Sequence, residues 1–159
     1  MSWLSGASSG TVVAGGNGGG TGNTQLFSPY GFTWDSTTNS FIIVNYSAHT
    51  VVRWVLGATS WTLLAGIAGT SGSTSILFNN PLSVVLDLYG NMYISDTRNH
   101  RIQFFRAGES NGTTIAGTTG SSGTSPTQLN QPYWAIIDAQ LNLYVTDTFN
   151  NRVQKFSRF

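Results

Sequence analysis

The chain alternates short apolar runs with turn-forming polar residues, most regularly between residues 81 and 116. Four runs there are rich in β-branched and aromatic residues, as strands are. They are Pro81–Asp87, Met92–Asp96, Arg101–Arg106 and Thr113–Ala116. The segments between them carry Gly, Asn, Asp and Ser, which are typical of tight turns. The pattern predicts an antiparallel meander of four strands, and no helical periodicity of useful length occurs along the chain.

This meander recurs at a fixed step. Residues 62–108 and 113–159 correspond position by position at a distance of 51 residues, and residues 11–57 are a looser third copy. A fixed period of this size indicates repeat architecture. Four-stranded meanders with Gly at the joins are typical of β-propeller blades. We therefore expect an all-β fold of three blades, a single propeller segment over residues 1–159 with repeats at about 11–57, 62–108 and 113–159.

Long Gly-, Ser- and Thr-rich loops separate the meanders, at Gly15–Ser28, Gly66–Asn80 and Gly117–Gln131. Each carries an apolar residue near its end, which we expect to anchor the loop. Strand direction alternates within a meander, so these loops should lie on the same side as the turns between the second and third strands. The turns between the first and second strands should lie on the other side.

Composition excludes some functions. Only 8% of residues are charged and the net charge is +1, which argues against an electrostatic nucleic-acid binder. A hydrophobic content of 40% predicts a folded chain. There is no cysteine, and the start has neither a basic segment nor a long apolar run, so we expect no signal peptide and no membrane span. The cellular compartment stays open, and no cofactor is indicated.

The repeat residues resemble the NHL-repeat family of β-propellers. The second copy fits the signature of that family fully, with Asp87, Gly90, Asn91, Tyr93, Asp96, Asn99, His100, Arg101, Ile102 and Gln103. The third copy fits with Asp138, Asn142, Tyr144, Asp147, Asn150, Arg152 and Gln154, but has Asn151 in place of His. The first copy keeps Asp35 and His49 and has Asn45, Thr50 and Val52 for Asp, Arg and Gln. The resemblance implies a six-bladed ring that acts as a binding platform.

The signature residues have structural chemistry. An Asp before a tight turn accepts a backbone N–H two residues later, and Asn tolerates a positive φ within the turn. Arg at the start of the next strand offers a planar fork of donors for carboxylates and carbonyls between blades. We assign this structural role to Asp35, Asp87, Asp96, Asn99, His100, Arg101, Asp138, Asp147, Asn150 and Arg152.

Three blades leave a propeller ring open. The chain starts with a fourth-type strand, Thr11–Ala14, and ends on a third-type strand, Arg152–Phe156. We expect a C₂ homodimer that closes six blades by exchanging these outer strands. The closure residues are Thr11, Val12, Val13, Ala14, Val153 and Phe156. A higher ring, a filament, or an excised or engineered fragment are the alternatives.

Variable and aromatic positions suggest a ligand surface beside the loops. Tyr30, Leu82 and Tyr133 are equivalent positions at a channel mouth, with Trp134 adjacent, and Ser47, Arg98 and Phe149 are equivalent turn positions. Such aromatics hold a peptide, sugar or base, or simply pack the channel wall.

We expect a non-enzymatic scaffold whose partners are itself and a protein or peptide. A metal-dependent lyase or hydrolase using His49 and His100 is one alternative, and an RNA-binding domain is another. Both alternatives follow from the resemblance, which includes such propellers. We expect no metal, no nucleic acid and no membrane among the partners.

Overall fold

The computed structural model describes residues 9–157, which form three antiparallel sheets. The first sheet contains β1 (Pro29–Asp35), β2 (Ser40–Asn45), β3 (Thr50–Val55) and β4 (Thr62–Gly66). The second contains β5 (Ser83–Leu86), β6 (Met92–Asp96), β7 (Arg101–Phe105) and β8 (Thr113–Gly117). The third contains β9 (Pro132–Ile137), β10 (Leu143–Asp147) and β11 (Arg152–Phe156). Two short 3₁₀ helices, Thr97–Asn99 and Thr148–Asn150, form turns.

Each sheet is a meander whose strands pair in chain order, which confirms the predicted all-β blade architecture. We call the sheets blades 1, 2 and 3. Blades 1 and 2 have four strands, whereas blade 3 has three among the described residues. No helix among residues 9–157 has the length and apolar character that a membrane span requires.

The segment Thr11–Ala14 differs from the prediction of a strand, since it forms none. Its repeat equivalents, β4 and β8, are held by a third strand on one side. Thr11–Ala14 has no such neighbour in this structure, and an unpaired segment gains no ladder hydrogen bonds. The segment therefore forms no strand in a single chain, which offers it no strand to pair with.

Two hydrophobic clusters join the blades face to face. The cluster between blades 1 and 2 contains Ile42, Val44, Val51, Ala65, Phe78, Val84, Met92, Ile94 and Phe105. The cluster between blades 2 and 3 contains Tyr93, Ile102, Ala116, Leu129, Ala135, Leu143 and Val145. We call the side of a blade that faces the preceding blade its front face and the opposite side its back face. Phe78 and Leu129 are fully buried and confirm the predicted loop anchors.

The fourth strand of a blade approaches the third closely. The pairing of β7 with β8 shifts between Ile102 and Gln103, and that of β3 with β4 between Val51 and Val52. At the end of β8, a Cβ on Gly117 would lie 2.1 Å from the carbonyl oxygen of His100. Gly117 also has a φ of +83°, which L side chains rarely adopt. Glycine is therefore required where the outer strand ends.

Candidate functional site

The acidic residue at the first turn of each blade accepts hydrogen bonds from the backbone of that turn. Asp87 accepts the backbone N–H of Tyr89 at 2.9 Å and of Asn91 at 3.0 Å. Asp138 repeats this geometry with Gln140 and Asn142. The predicted bond from the residue two positions on is made by these Asp residues and by Asp35, with Thr37. The same prediction is wrong for Asp96 and Asp147, whose side chains make no cap bond to their own turns.

In blade 2, a network around Asp96 joins the second turn to the preceding long loop. Asp96 accepts hydrogen bonds from the backbone N–H of Asn79, from Nδ2 of Asn99 and from Nε of Arg101, each at 2.8 Å. The Arg101 guanidinium also donates to the loop carbonyls of Ser73, Thr74 and Leu77. We call this arrangement the guanidinium clamp. It confirms the predicted carboxylate and carbonyl partners of the Arg and the predicted shared side of loops and turns.

Blade 3 carries the same clamp in a more open setting. Asp147 accepts from Asn130, Asn150 and Arg152. The side chain of Arg152 is 31% exposed, whereas that of Arg101 is 3% exposed beneath blade 3. Burial raises the pKa of Asp96, although hydrogen bonds and Arg101 oppose that shift. Burial also acts to raise the pKa of Asp147, but there the hydrogen bonds and Arg152 prevail and lower it.

Blade 1 lacks the clamp. Asn45 accepts the backbone N–H of Phe27 as Asp96 accepts that of Asn79, but Thr50 stands in place of the Arg. Nδ2 of Asn45 and Oγ1 of Thr50 are buried without a hydrogen-bond partner. Trp61 takes over part of the role, since its indole N–H donates to the carbonyl of Gln25 at 2.7 Å.

Both histidines join one blade to the next. They adopt a left-handed backbone at the end of the second turn, with φ of 58° for His49 and 56° for His100. Nδ1 of His49 accepts the backbone N–H of Asn80, and Nδ1 of His100 accepts that of Gln131, both at 3.1 Å. Acceptance at Nδ1 requires a neutral imidazole.

Burial lowers the pKa of both histidines, and the charge of Arg98 lowers that of His49 further. The residue expected to have a positive φ is a turn Asn. The structure gives it to the following residue, which is His in blades 1 and 2 and Asn151 in blade 3, with a φ of 54°. Asn99 and Asn150 donate to the clamp Asp residues instead.

Three of the predicted ligand residues, Tyr30, Tyr133 and Phe149, take part in two aromatic pairs. Tyr30 packs on Tyr46 with 4.8 Å between ring centroids, and Tyr133 packs on Phe149 at 6.1 Å. Tyr30, Tyr133 and Phe149 remain exposed. The pairs lie beside corresponding turns of blades 1 and 3.

The other predicted ligand residues divide among three settings. Arg98 is exposed on the same turn of blade 2, and Ser47 donates to the hydroxyl of Ser28 in blade 1. Leu82 is buried and lies beneath this surface. Trp134 lies on the back face of blade 3. Its repeat equivalent Ser83 shares a face of β5 with Val85, which packs in the cluster between blades 2 and 3.

The back face of blade 3 is an uncovered apolar surface. Trp134 is 48% exposed and Val153 is 67% exposed, and Ile136 is exposed beside them. Ile102, the equivalent of Val153 in blade 2, is fully buried against blade 3. Phe156, predicted with Val153 as a closure residue, instead packs toward blade 2.

The front face of blade 1 has its own small apolar cluster, formed by Ile43, Val52 and Trp54. An apolar pocket of about 300 Å³ opens beside this cluster. Its lining includes Leu26, Pro29, Tyr30, Phe32, Phe41 and Ile43. The three-blade unit therefore carries an exposed apolar surface at one end and an open apolar pocket at the other.

Three features escaped the sequence argument. Tyr46 pairs with Tyr30, although its repeat equivalents are Thr97 and Thr148. Trp61 replaces the clamp of blade 1, and its equivalent in blade 2 is Gly112. The pocket on blade 1 has no local signature. The departures of Tyr46 and Trp61 from the repeat are signals that could have identified those residues.

The titratable side chains are dispersed. Among residues 9–157, no three His, Asp or Glu side chains lie close enough together to hold a metal ion.

No protein-family model matches the chain, and no curated protein matches it closely enough to count as a relative. Solved structures do resemble it. A protein of unknown function from Bacteroides thetaiotaomicron is 17% identical with a TM-score of 0.70, over 81% of this chain and 34% of its own. An auxiliary nutrient binding protein from the same species is 20% identical with a TM-score of 0.63, over 78% and 36%. Virginiamycin B lyase from Staphylococcus aureus is 12% identical with a TM-score of 0.53, over 82% and 41%.

These likenesses identify the class of fold, which is an all-β, propeller-type arrangement of blades. At such identities they show the fold alone. The chain spans between about a third and two fifths of the length of these structures.

Proposed function

We propose that this protein is a non-enzymatic binding scaffold built from NHL-type blades, and that two copies close one six-bladed ring. The supporting observation is the set of contacts made by the charged residues that recur in the repeats. Asp87, Asp96 and Arg101 form hydrogen bonds with turn and loop backbone and with neighbouring side chains of the repeat. The histidines accept backbone N–H groups of the following blade. These groups serve the fold and do not converge on a reaction centre.

The observation that carries the self-association is the backbone of Gly15. Gly66 and Gly117 end the outer strands of blades 1 and 2 with φ of +91° and +83°. Gly15 holds the same left-handed conformation, with a φ of +73°, after the unpaired segment Thr11–Ala14. This segment is thus shaped like the end of an outer strand, and β11 in blade 3 has no outer neighbour among the described residues.

The repeat fixes the register of the exchanged strand. In blade 2, Arg101 pairs with Gly117, Ile102 with Ala116 and Gln103 with Thr114. By equivalence, Arg152 pairs with Gly15 of the second copy, Val153 with Ala14 and Gln154 with Val12. The exchange covers the open edge of β11, which would otherwise invite uncontrolled pairing.

Light scattering on the folded 159-residue chain tests this proposal. We expect twice the chain mass of 17.0 kDa, and a stable monomer would overturn it. Val12→Pro removes a ladder N–H at a paired position and should convert the dimer to monomer. Val12→Thr is the matched control, because Thr114 occupies the equivalent position of β8, and it should remain a dimer.

The binding surface of the scaffold is the side that carries the aromatic pairs Tyr30–Tyr46 and Tyr133–Phe149 with Arg98 between them along the chain. Exposed rings offer flat apolar area to a peptide, and Arg98 offers charge. A displayed-peptide library selected on the wild-type protein checks this. Binding of the selected peptides should be lost with Tyr133→Ala/Phe149→Ala, and unchanged binding would place the peptide site elsewhere.

A further inference from the structure

We infer that Trp134 of one copy inserts into the apolar pocket on blade 1 of the next copy and locks the ring at its channel side. This inference rests on the proposed two-copy ring and names the contact that specifies its seam. The junctions between blades 1 and 2 and between blades 2 and 3 serve as templates, because the junction between two copies in a closed ring must have the same geometry.

The junction of blades 1 and 2 shows what Trp134 would meet. Gly31, Ser83 and Trp134 are repeat equivalents on the back faces of blades 1, 2 and 3. A Cβ on Gly31 would lie 2.4 Å from the carbonyl oxygen of Leu82, so the first strand of the next blade approaches at this position. The equivalent of Leu82 in blade 1 is Tyr30. Trp134 therefore faces Tyr30 of the next copy.

The pocket lies at that place. Its lining includes Pro29, Tyr30 and Phe32 of the first strand and Leu26 of the preceding loop. Val13 and Ala14 of the segment that pairs with β11 of the other copy complete the lining. In blade 2 the loop position of Leu26 holds Phe78, which is fully buried between blades 1 and 2. The smaller Leu26 contributes to the open volume of about 300 Å³ on the front face of blade 1.

Size decides which residue each junction accepts. Backbone contact at Gly31 leaves no room for a side chain, and Ser83 keeps a small buried hydroxyl that donates to Ser95 at 2.8 Å. A Trp in either position would need a gap that those junctions do not have. At the junction between two copies, the pocket on the front face of blade 1 supplies space for a Trp side chain. A large aromatic side chain that fills an apolar pocket is the usual anchor of a protein interface.

The neighbouring residues extend the same contact. Ile136 is the equivalent of Val85, and Val85 packs in the cluster between blades 2 and 3 with Ala135. The equivalent of Ala135 in blade 1 is Phe32, which is exposed. Ile136 and Phe32 of the next copy therefore pack beside Trp134, and both leave water on association.

Sedimentation equilibrium of Trp134→Ser tests the inference, since Ser is the natural residue of blade 2 at this position. We expect the dimer dissociation constant to rise at least about tenfold, as for an interface anchor. The control Leu88→Ser removes an apolar side chain that is 95% exposed on the turn between β5 and β6, where it lines a cleft between blades 2 and 3, and it should leave the constant unchanged. Far-UV circular dichroism verifies that each variant is folded.

A second variant narrows the pocket from the other side. Leu26→Phe places the residue of blade 2 in blade 1, and it should also weaken the dimer at least about tenfold. The effect of the double variant should fall short of the product of the two single effects, because both changes destroy one contact. If the wild type is a dimer and Trp134→Ser leaves its constant within about twofold, the seam contact is wrong while the ring proposal stands. If the wild type is a monomer, the ring proposal fails.

Discussion

Blades 1 and 2 have the same strand order, yet they hold their long loops with different side chains. In blade 2, Arg101 donates to three loop carbonyls, among them that of Leu77. In blade 1 the equivalent carbonyl belongs to Gln25, and the indole N–H of Trp61 reaches it from the start of the outer strand. The carbonyl at this loop position therefore receives a side-chain hydrogen bond in both blades, from a guanidinium in blade 2 and from an indole in blade 1.

The replacement leaves a cost in blade 1. In blade 2, both carboxylate oxygens of Asp96 accept hydrogen bonds within the guanidinium clamp. In blade 1, Nδ2 of Asn45 and Oγ1 of Thr50 are buried without hydrogen-bond partners. Each buried polar group without a partner costs about 1–3 kcal/mol. Blade 1 should therefore be the less strongly fastened of the two blades, and substitutions at equivalent positions should have opposite effects.

The largest contrast is expected between Arg101→Ala and Thr50→Val. Removing Arg101 leaves the carboxylate of Asp96 buried without its charge partner, and should lower the free energy of unfolding by about 3–5 kcal/mol. Thr50→Val removes a hydroxyl without a partner and keeps its shape, so stability should stay equal or rise by up to about 1 kcal/mol. Urea unfolding at one fixed protein concentration measures both, because association is linked to stability. Equal losses at the two positions would contradict the comparison.

A smaller loss is expected in blade 3. Arg152 makes the same clamp, but its side chain is 31% exposed in the single chain. When the side chain is removed, water can therefore hydrogen-bond to some of the groups that Arg152 contacted. In the single chain, isolated as the Val12→Pro variant, Arg152→Ala should lower the free energy of unfolding by about 1–3 kcal/mol, less than Arg101→Ala in the same background. A loss as large as that of Arg101→Ala would show that burial does not determine the strength of the clamp.

A still smaller effect is expected from Trp61→Phe in blade 1. The change removes one indole donor and keeps an aromatic ring, so it should cost about 1 kcal/mol. Its signature should be local, with faster amide hydrogen exchange in the loop 15–28. Trp54→Phe is the matched control, because the indole of Trp54 donates to the nearby turn at Ala58. Equal exchange in the loop of both variants would show that Trp61 does not hold it.

These comparisons also show what the sequence can predict. The blades and the partners of Asp87 and Arg101 followed from short repeated patterns, because those contacts are local or recur at a fixed step. The departure of Trp61 from the repeat marks that residue, but its bond to Gln25 spans 36 residues, so no local pattern predicts the partner. Burial of Leu82 and the position of Trp134 on a face depend on how blades stack. The strand predicted at Thr11–Ala14 needs a neighbour that one copy does not supply.

The least pronounced effect concerns the histidines that join the blades. Burial lowers the pKa of His49 and His100 below the usual value, and Arg98 adds to this at His49. The unfolded chain therefore binds more protons, and stability is present above the unfolded pKa of about 6.5 and is lost as the pH falls below it. Protonation of Nδ1 also removes the acceptor of the Asn80 and Gln131 N–H groups.

Melting temperatures between pH 7.5 and pH 5 should therefore fall on acidification. Asn151 occupies the same left-handed position in blade 3, so His49→Asn/His100→Asn keeps the turn and removes the titration. We expect this double variant to lose most of the pH dependence within that window. An unchanged pH dependence in the double variant would assign the acid sensitivity to the carboxylates of the turns and clamps instead.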